Sequence, residues 1–166
     1  KTTLLRAISG IWPFAKGEII SPTHASLFLS QKPYLPLGTL RQALHYPQSD
    51  LAIDLKRDEE VLDLIQLGHL KDELDQEENW SQILSLGEQQ RLAFGRLLLA
   101  NPKIAFLDEA TSAMDEGLED AMYRLLRTSL PQTRIISVGH RSTLKRYHER
   151  FLTIGGKEGS WSLVNL

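Results

Sequence analysis

Residues Ile104-Ala105-Phe106-Leu107-Asp108-Glu109 decide the fold. An apolar run leads straight into two adjacent carboxylates. A run this short, apolar at every position rather than every second one, reads as a strand buried on both faces, as in a parallel sheet covered by helices. Upstream, Leu84–Ala100 carries a helical pattern with Leu92, Ala93, Arg96, Leu97 and Ala100 on or near one face, and Asn101-Pro102 ends it. Downstream, residues 117–130 read as an amphipathic helix through Leu118, Met122, Leu125 and Leu126, stopped by Pro131, and Arg134–Val138 reads as the next buried strand. This alternation predicts an α/β domain with a mainly parallel sheet. In open sheets of that kind, ligands sit beyond the carboxyl ends of the strands, where Asp108 and Glu109 stand. Asp108 can hold a hydrated Mg²⁺, which takes oxygen ligands and keeps several waters. Glu109 can accept a proton from an attacking water. An Asp-Glu pair that merely opens a loop looks the same, so the pair needs support from elsewhere.

Residues 1 to about 10 read as a helix with Leu4, Leu5 and Ile8 on one face, Gly10 as its C-cap and Pro13 soon after. Gly17–Ile20 and Ala25–Leu29 read as short strands separated by Ser21-Pro22, and Ser30–Gly38, with Pro33 and Pro36, as a loop. From Thr39 to about Trp80 the pattern is helical, with Val61, Leu62, Leu64 and Ile65 as a stripe, which predicts a small helical lobe. The charged runs Lys56–Glu60 and Lys71–Glu78 read as solvated faces. Phe151–Ile154 and Trp161–Val164 read as a hairpin around Gly155, Gly156 and Gly159. The 166 residues suit one domain with a lobe. A net charge of −2 gives no electrostatic case for nucleic acid as a partner. The chain has no cysteine, which excludes disulfides and thiolate metal sites. No apolar run approaches the ~18 residues of a membrane span.

Other segments carry weak signals one at a time. Ser85 and Glu88 form an S-x-x-E capping box at the start of the Leu84–Ala100 helix. That is either a well-capped helix or, with the close-approach Gly87, an anion site at a helix N-terminus. Lys1-Thr2-Thr3 matches only the last residues of the P-loop pattern G-x-x-x-x-G-K-[ST]. His140 follows a strand, and Gln31 lies in the proline-rich loop. No second His or Cys stands at zinc-ligand spacing.

Their order is more specific than any one of them. In it the chain resembles the nucleotide-binding domain of ABC transporters, over essentially its whole length. Lys1-Thr2-Thr3 looks like the end of Walker A, Gln31 like the Q-loop glutamine and Leu84–Arg91 like the ABC signature. Ile104–Asp108 looks like Walker B, followed by the family's catalytic Glu109; Ser112–Asp115 looks like the D-loop and His140 like the switch histidine. Gln31–Arg41 and Ser137–Arg141 resemble the peroxisomal-type fatty-acyl exporters and their bacterial SbmA/BacA-like relatives, which fuse an N-terminal transmembrane domain to a C-terminal ATPase.

The resemblance implies a P-loop NTPase fold, with a helical subdomain at about residues 38–90 inserted in the α/β core of a 1–166 partial ATPase domain. It implies ATP and Mg²⁺ as ligands. Lys1, Thr2, Thr3, Gln31, Ser85, Gly87, Glu88 and Asp115 are then nucleotide-binding, with Ser85 and Gly87 acting across a head-to-tail dimer. Thr2, Gln31 and Asp108 hold the metal; Glu109 and His140 are catalytic. The partners are a transmembrane domain and a second ATPase domain, at the cytoplasmic face of a membrane, most simply a bacterial inner membrane. Two departures stand out. Leu86 occupies the place of the signature's first glycine. The chain also opens inside Walker A, so the glycine cradle, its preceding strand and the adenine-stacking aromatic residue are expected upstream, and the chain as given is expected to be inactive without them. A soluble ABC ATPase of the DNA-repair or translation type, and a truncated non-catalytic remnant, are the competing readings.

Overall fold

The computed structural model describes residues 1–14, 16–19, 25–48, 54–155 and 159–166. In chain order its elements are α1 (Thr2–Ile8), β1 (Ser26–Leu29), β2 (Gly38–Thr39), α2 (Leu40–His45), α3 (Leu55–Leu64), a 3-10 turn over Gly68–Glu73, β3 (Glu77–Glu78), α4 (Trp80–Ile83) and α5 (Leu86–Ala100). Then follow β4 (Ile104–Asp108), α6 (Glu116–Ser129), β5 (Arg134–Val138), a 3-10 turn over Ser142–Tyr147, β6 (Arg150–Ile154) and β7 (Trp161–Asn165).

The apolar run Ile104–Asp108 is the middle of the main sheet. β4 is buried at every position and lies between β1 and β5, parallel to both. Leu29 of β1 is level with Leu107, and Val138 of β5 with Asp108, so the strand ends that carry chemistry line up. β5 departs from expectation. Arg134 and Ile136 are exposed, because they point to the same face of the sheet and there that face of β5 is left uncovered among the described residues, while Ile135 between them packs on the core. The strand expected at Gly17–Ile20 is also absent from residues 16–19, which join no ladder; Ile20, with Ser21 and Pro22, lies outside the described residues, as does Gly156 of the hairpin turn. The β6–β7 hairpin forms as expected, antiparallel from Arg150↔Asn165 to Ile154↔Trp161, with both strands exposed throughout.

The helical lobe is built on α5. Ser85 caps this helix: its Oγ accepts the Glu88 N–H at 3.3 Å, while the Glu88 carboxylate accepts the Ser85 N–H at 2.9 Å. At the other end Asn101 turns left-handed at φ +42° and donates its N–H to the Leu97 carbonyl. Midway, Gly95 lets α2 and α3 approach. A Cβ there would lie 2.8 Å from Leu44 Cδ1 and 3.0 Å from Ile65 Cδ1. Around that contact Leu40, Leu44, Val61, Leu62, Ile65, Leu92 and Phe94 are fully buried, each apolar side chain contributing about 1.5–3 kcal/mol. α2 starts with its own capping box, Thr39 with Gln42.

The charged runs are not simply solvated faces. Asp58 is 1% exposed and faces the Arg41 guanidinium, with His45 Nε2 2.8 Å from its other oxygen. Arg41 also donates from Nε and Nη2 to the two oxygens of Asp75, at 2.8 and 3.0 Å. This fork holds the Asp75 carboxyl below the usual range and raises Arg41. A guanidinium buried between helices needs such compensation, and the charged runs supply the carboxylates.

Candidate active site

The carboxyl end of β4 brings the first group of site residues together. Asp108 is 4% exposed, and its only hydrogen-bond donor among the described residues is the Thr2 hydroxyl, 2.8 Å from Oδ1. Arg6 Nη2 lies 3.9 Å from Oδ2. Thr2 and Arg6 are four residues apart on α1, hence on the same face. A buried carboxylate balanced by one neutral hydroxyl and a distant guanidinium is under-compensated, which suits it to a cation. The cavity it faces, about 350 Å³, is lined by Thr2, Arg6, Ser30, Gln31, Lys32, Asp108 and Glu109. Its donors are oxygens together with cationic groups, the chemistry that suits a polyphosphate with a hard metal ion.

Glu109 leaves the strand in a left-handed conformation, φ +53°. For a non-glycine residue this costs about 1–3 kcal/mol and persists only where its surroundings impose it. Here the Glu109 N–H donates to the Val138 carbonyl at 2.9 Å, which ties the turn to the end of β5. The side chain is left at the rim, where Oε1 meets His140 Nε2 at 2.8 Å. Glu109 therefore lines both the first cavity and a second, of about 180 Å³, that also contains Thr111, Ser112, Glu119, Gly139, His140, Arg141 and Leu144. Behind it, buried Glu119 accepts from Thr111 Oγ1 at 2.6 Å and lies 3.4 Å from Arg141 Nη1, while Arg141 Nη2 donates to the Met114 carbonyl at 2.7 Å. These contacts fasten the loop after β4 to the loop after β5.

The remaining predicted residues do not join this cluster. Ser85, Gly87, Glu88 and Asp115 line neither cavity. Ser85 and Glu88 are bonded to each other, and that bonding holds the Glu88 carboxyl below its ordinary value. Asp115 caps α6 by accepting the Leu118 N–H at 2.8 Å. Gly87 is pressed on the loop after β4; a Cβ on it would stand 3.1 Å from the Ala113 carbonyl oxygen. Leu86 beside it is 38% exposed. Lys1 and Thr3 are exposed at the start of α1 and line neither cavity.

A family model for ABC transporters matches residues 1–112. The chain belongs to the ABC transporter family. Across 99% of its length it is 58% identical to an uncharacterized ABC transporter ATP-binding protein of Haemophilus influenzae, of which it spans 28%. It is 40% identical to the human lysosomal cobalamin transporter ABCD4, over all of this chain and 29% of that one. It is 37% identical to the chloroplastic ABC transporter D family member 2 of Arabidopsis thaliana, spanning 31% of that protein. The chain thus covers less than a third of these relatives. Among solved structures, a bacterial Atm1-family ABC exporter with ATP bound superimposes on 92% of the chain with a TM-score of 0.77 at 24% identity, which shows the shared fold. The α/β class and the P-loop NTPase architecture expected from the sequence are those of the family.

Three groups were not singled out from the sequence. Arg6 carried a signal, its spacing of four from Thr2. Glu119 carried none and Arg141 only its place in the Ser137–Arg141 resemblance, because their pairing joins two loops. Gln90 is fully buried, with its amide bonded to two other loops; a polar residue on the buried face of an amphipathic helix is the trace it leaves in the sequence.

Proposed function

We propose that this chain is the ATP-binding and ATP-hydrolysing domain of an ABC transporter, and that it powers transport through a transmembrane domain of the same transporter. The observation that carries this reading is the convergence at the end of β4: Thr2 on Asp108 around one cavity, and Glu109, which lines that cavity and its neighbour, on His140. Lys1 and Thr3 belong with Thr2 on the phosphates. Thr2, Asp108 and Gln31 have the oxygen donors to hold Mg²⁺ beside them. When bound, that ion offsets the phosphate charge.

Glu109 accepts the proton of a water that attacks the γ-phosphorus as the bond to ADP breaks, and His140 holds Glu109 and the phosphate in line; the Glu109–His140 contact supports this reading. Little covalent work is asked of the protein; catalysis is positioning and charge stabilisation. Ser85, Gly87, Glu88 and Asp115 line neither cavity, which fits a second copy of the domain, packed head to tail, presenting them to this copy's nucleotide. The whole chain then acts as one ATPase domain whose helical part, about residues 38–90, moves against the α/β core and the membrane domain. This sets the protein at the cytoplasmic face of a membrane.

Replacing Glu109 by Gln in the intact transporter tests the reading, since the amide keeps a hydrogen bond to His140 but cannot take the proton. ATP turnover should fall by about 10²-fold or more, with ATP binding retained. Turnover at the unmodified rate would overturn it.

A further inference from the structure

We infer that Gln90 is a positioning residue that locks the loop carrying Gln31 and the loop carrying Ser112 to helix α5, so that both flank Glu109 in one register. Gln90 is fully buried, and it lines neither cavity. Its Nε2 donates to the Gln31 carbonyl at 2.7 Å and to Ser112 Oγ at 3.1 Å, and its Oε1 accepts the Ala113 N–H at 3.0 Å. The partners dictate which end of the amide is which, because a carbonyl needs a donor and an N–H needs an acceptor. No other side-chain type of this length offers both. The two loops it joins are 59 and 22 residues away in sequence. One supplies Gln31 to the first cavity; the other continues directly from Glu109, whose carbonyl accepts the Ser112 N–H at 3.1 Å. Because Ser85 caps α5 and Gly87 packs on Ala113 from its first turn, this amide adds a hydrogen-bonded link from the signature end to both loops.

The neighbouring Gln89 provides the contrast. It too is buried, but its Nε2 donates to the carbonyls of Ser81 and Leu84, at 3.0 and 2.8 Å, within the α4–α5 corner. Gln89 is a local brace; Gln90 reaches across the site.

This inference rests on the proposed ATPase reading, and the test separates the two. In the intact transporter in lipid, Gln90→Glu, Gln89→Glu and Glu109→Gln are compared for kcat, KM, ATP Kd and thermal midpoint. Gln90→Glu keeps the acceptor for Ala113 and sets a carboxylate oxygen against the Gln31 carbonyl. Its kcat should fall about tenfold or more, the scale on which small misplacements act, with ATP Kd within about threefold of the parent. Gln89→Glu should lower the thermal midpoint without that split. Ser112→Ala, at an exposed position that tolerates the change, should lower kcat by a smaller factor and add nothing further in the Gln90→Glu background. If Glu109→Gln hydrolyses ATP normally, the ATPase reading fails. If Glu109→Gln is inactive while Gln90→Glu, or Ser112→Ala should Gln90→Glu not fold, keeps the parent kcat, the positioning role alone is overturned. A Gln90→Glu effect confined to thermal midpoint or to KM overturns it as well.

Discussion

The end of β4 and the start of α5 carry the two most informative stretches of the chain, and they are built on opposite principles. At the end of β4, each functional group is held by something distant in sequence: Asp108 by Thr2, Glu109 by Val138 and His140. At the start of α5 the polar groups close on themselves, Ser85 with Glu88 three residues on. The first cluster encloses a cavity; the second faces outward with Leu86 and Ser85 exposed. A site built across the sheet is specific to one fold, whereas a self-satisfied helix start is stable by itself and is free to meet something else. That difference agrees with the proposal, drawn from the family resemblance, that the two segments meet opposite sides of one nucleotide.

The sharpest way to break the comparison is to mix copies. A transporter with Asp108→Asn in one copy and Ser85→Ala in the other places both defects in one composite site if Ser85 acts across the dimer, and should keep one working site. With both changes in a single copy, both sites are damaged and ATP turnover should fall to background. The reverse pattern would show that each copy uses its own Ser85, and the assignment across the dimer would be wrong.

A smaller effect concerns what carries the signature end. The lobe beneath α5 contains the buried Arg41–Asp58 pair, with His45 on the second oxygen. Removing Asp58 leaves Arg41 with Asp75 as its carboxylate partner but strips the buried Nη1 and His45 of their acceptor, which costs about 1–3 kcal/mol. Asp58→Ala should therefore lower the stability of the protein by that amount in denaturant titration. A loss below about 1 kcal/mol, the scale of exposed pairs, would mean that Asp58 is solvated as the charge run first implies. Smaller again, Ser85→Ala removes the cap and should cost about 0.5–2 kcal/mol, measured without nucleotide. No loss at all would mean that the α5 start is held from outside, and the contrast between the two segments would weaken.

The same contrast explains what could be read in the sequence. The β4 run, the α5 capping box, the stop at Asn101-Pro102 and the hairpin are local patterns, and each stands where the residues imply. The Asp108–Glu109 pair was legible because strand ends in such sheets carry ligands. Glu119 with Arg141 and Arg41 with Asp58 were not, because their partners lie on other elements and periodicity holds no record of them; for Gln90 periodicity marks a buried polar residue but not its partners. The buried Asp58 shows the limit most plainly: a charge run on a helix has one sequence whether it faces water or a guanidinium. The apolar residues of β5 imply a buried strand, yet burial depends on what covers each face, and the face that carries Arg134 and Ile136 is exposed at those positions.

The smallest effect separates the two regions by pH. β5, which leads to His140, is backed by a chain of polar groups: Tyr123 OH donates to Ser137 Oγ at 3.0 Å, and Ser137 Oγ lies 3.0 Å from His148 Nε2. His148 Nδ1 lies 2.9 Å from the Leu144 carbonyl, so Nδ1 carries the proton and Nε2 accepts. Burial, with the Arg127 charge, pushes the His148 value below its ordinary 6.5, so the folded state binds fewer protons there than the unfolded chain. This support is complete above about pH 6.5 and is lost as pH falls through the depressed value. Glu88 is also depressed, by the Ser85 hydrogen bond, but from 4.5, so the α5 cap contributes fully above about pH 4.5 and is lost only as pH falls below it. Below pH 6.5 but above 4.5, where the His148 support is being lost and the α5 cap is intact, hydrogen exchange corrected for intrinsic rates should show β5 amides losing protection while the first turn of α5 keeps its own. Loss of both together would mean that the two regions unfold as one unit and that the self-contained character of the α5 start does not extend to its stability.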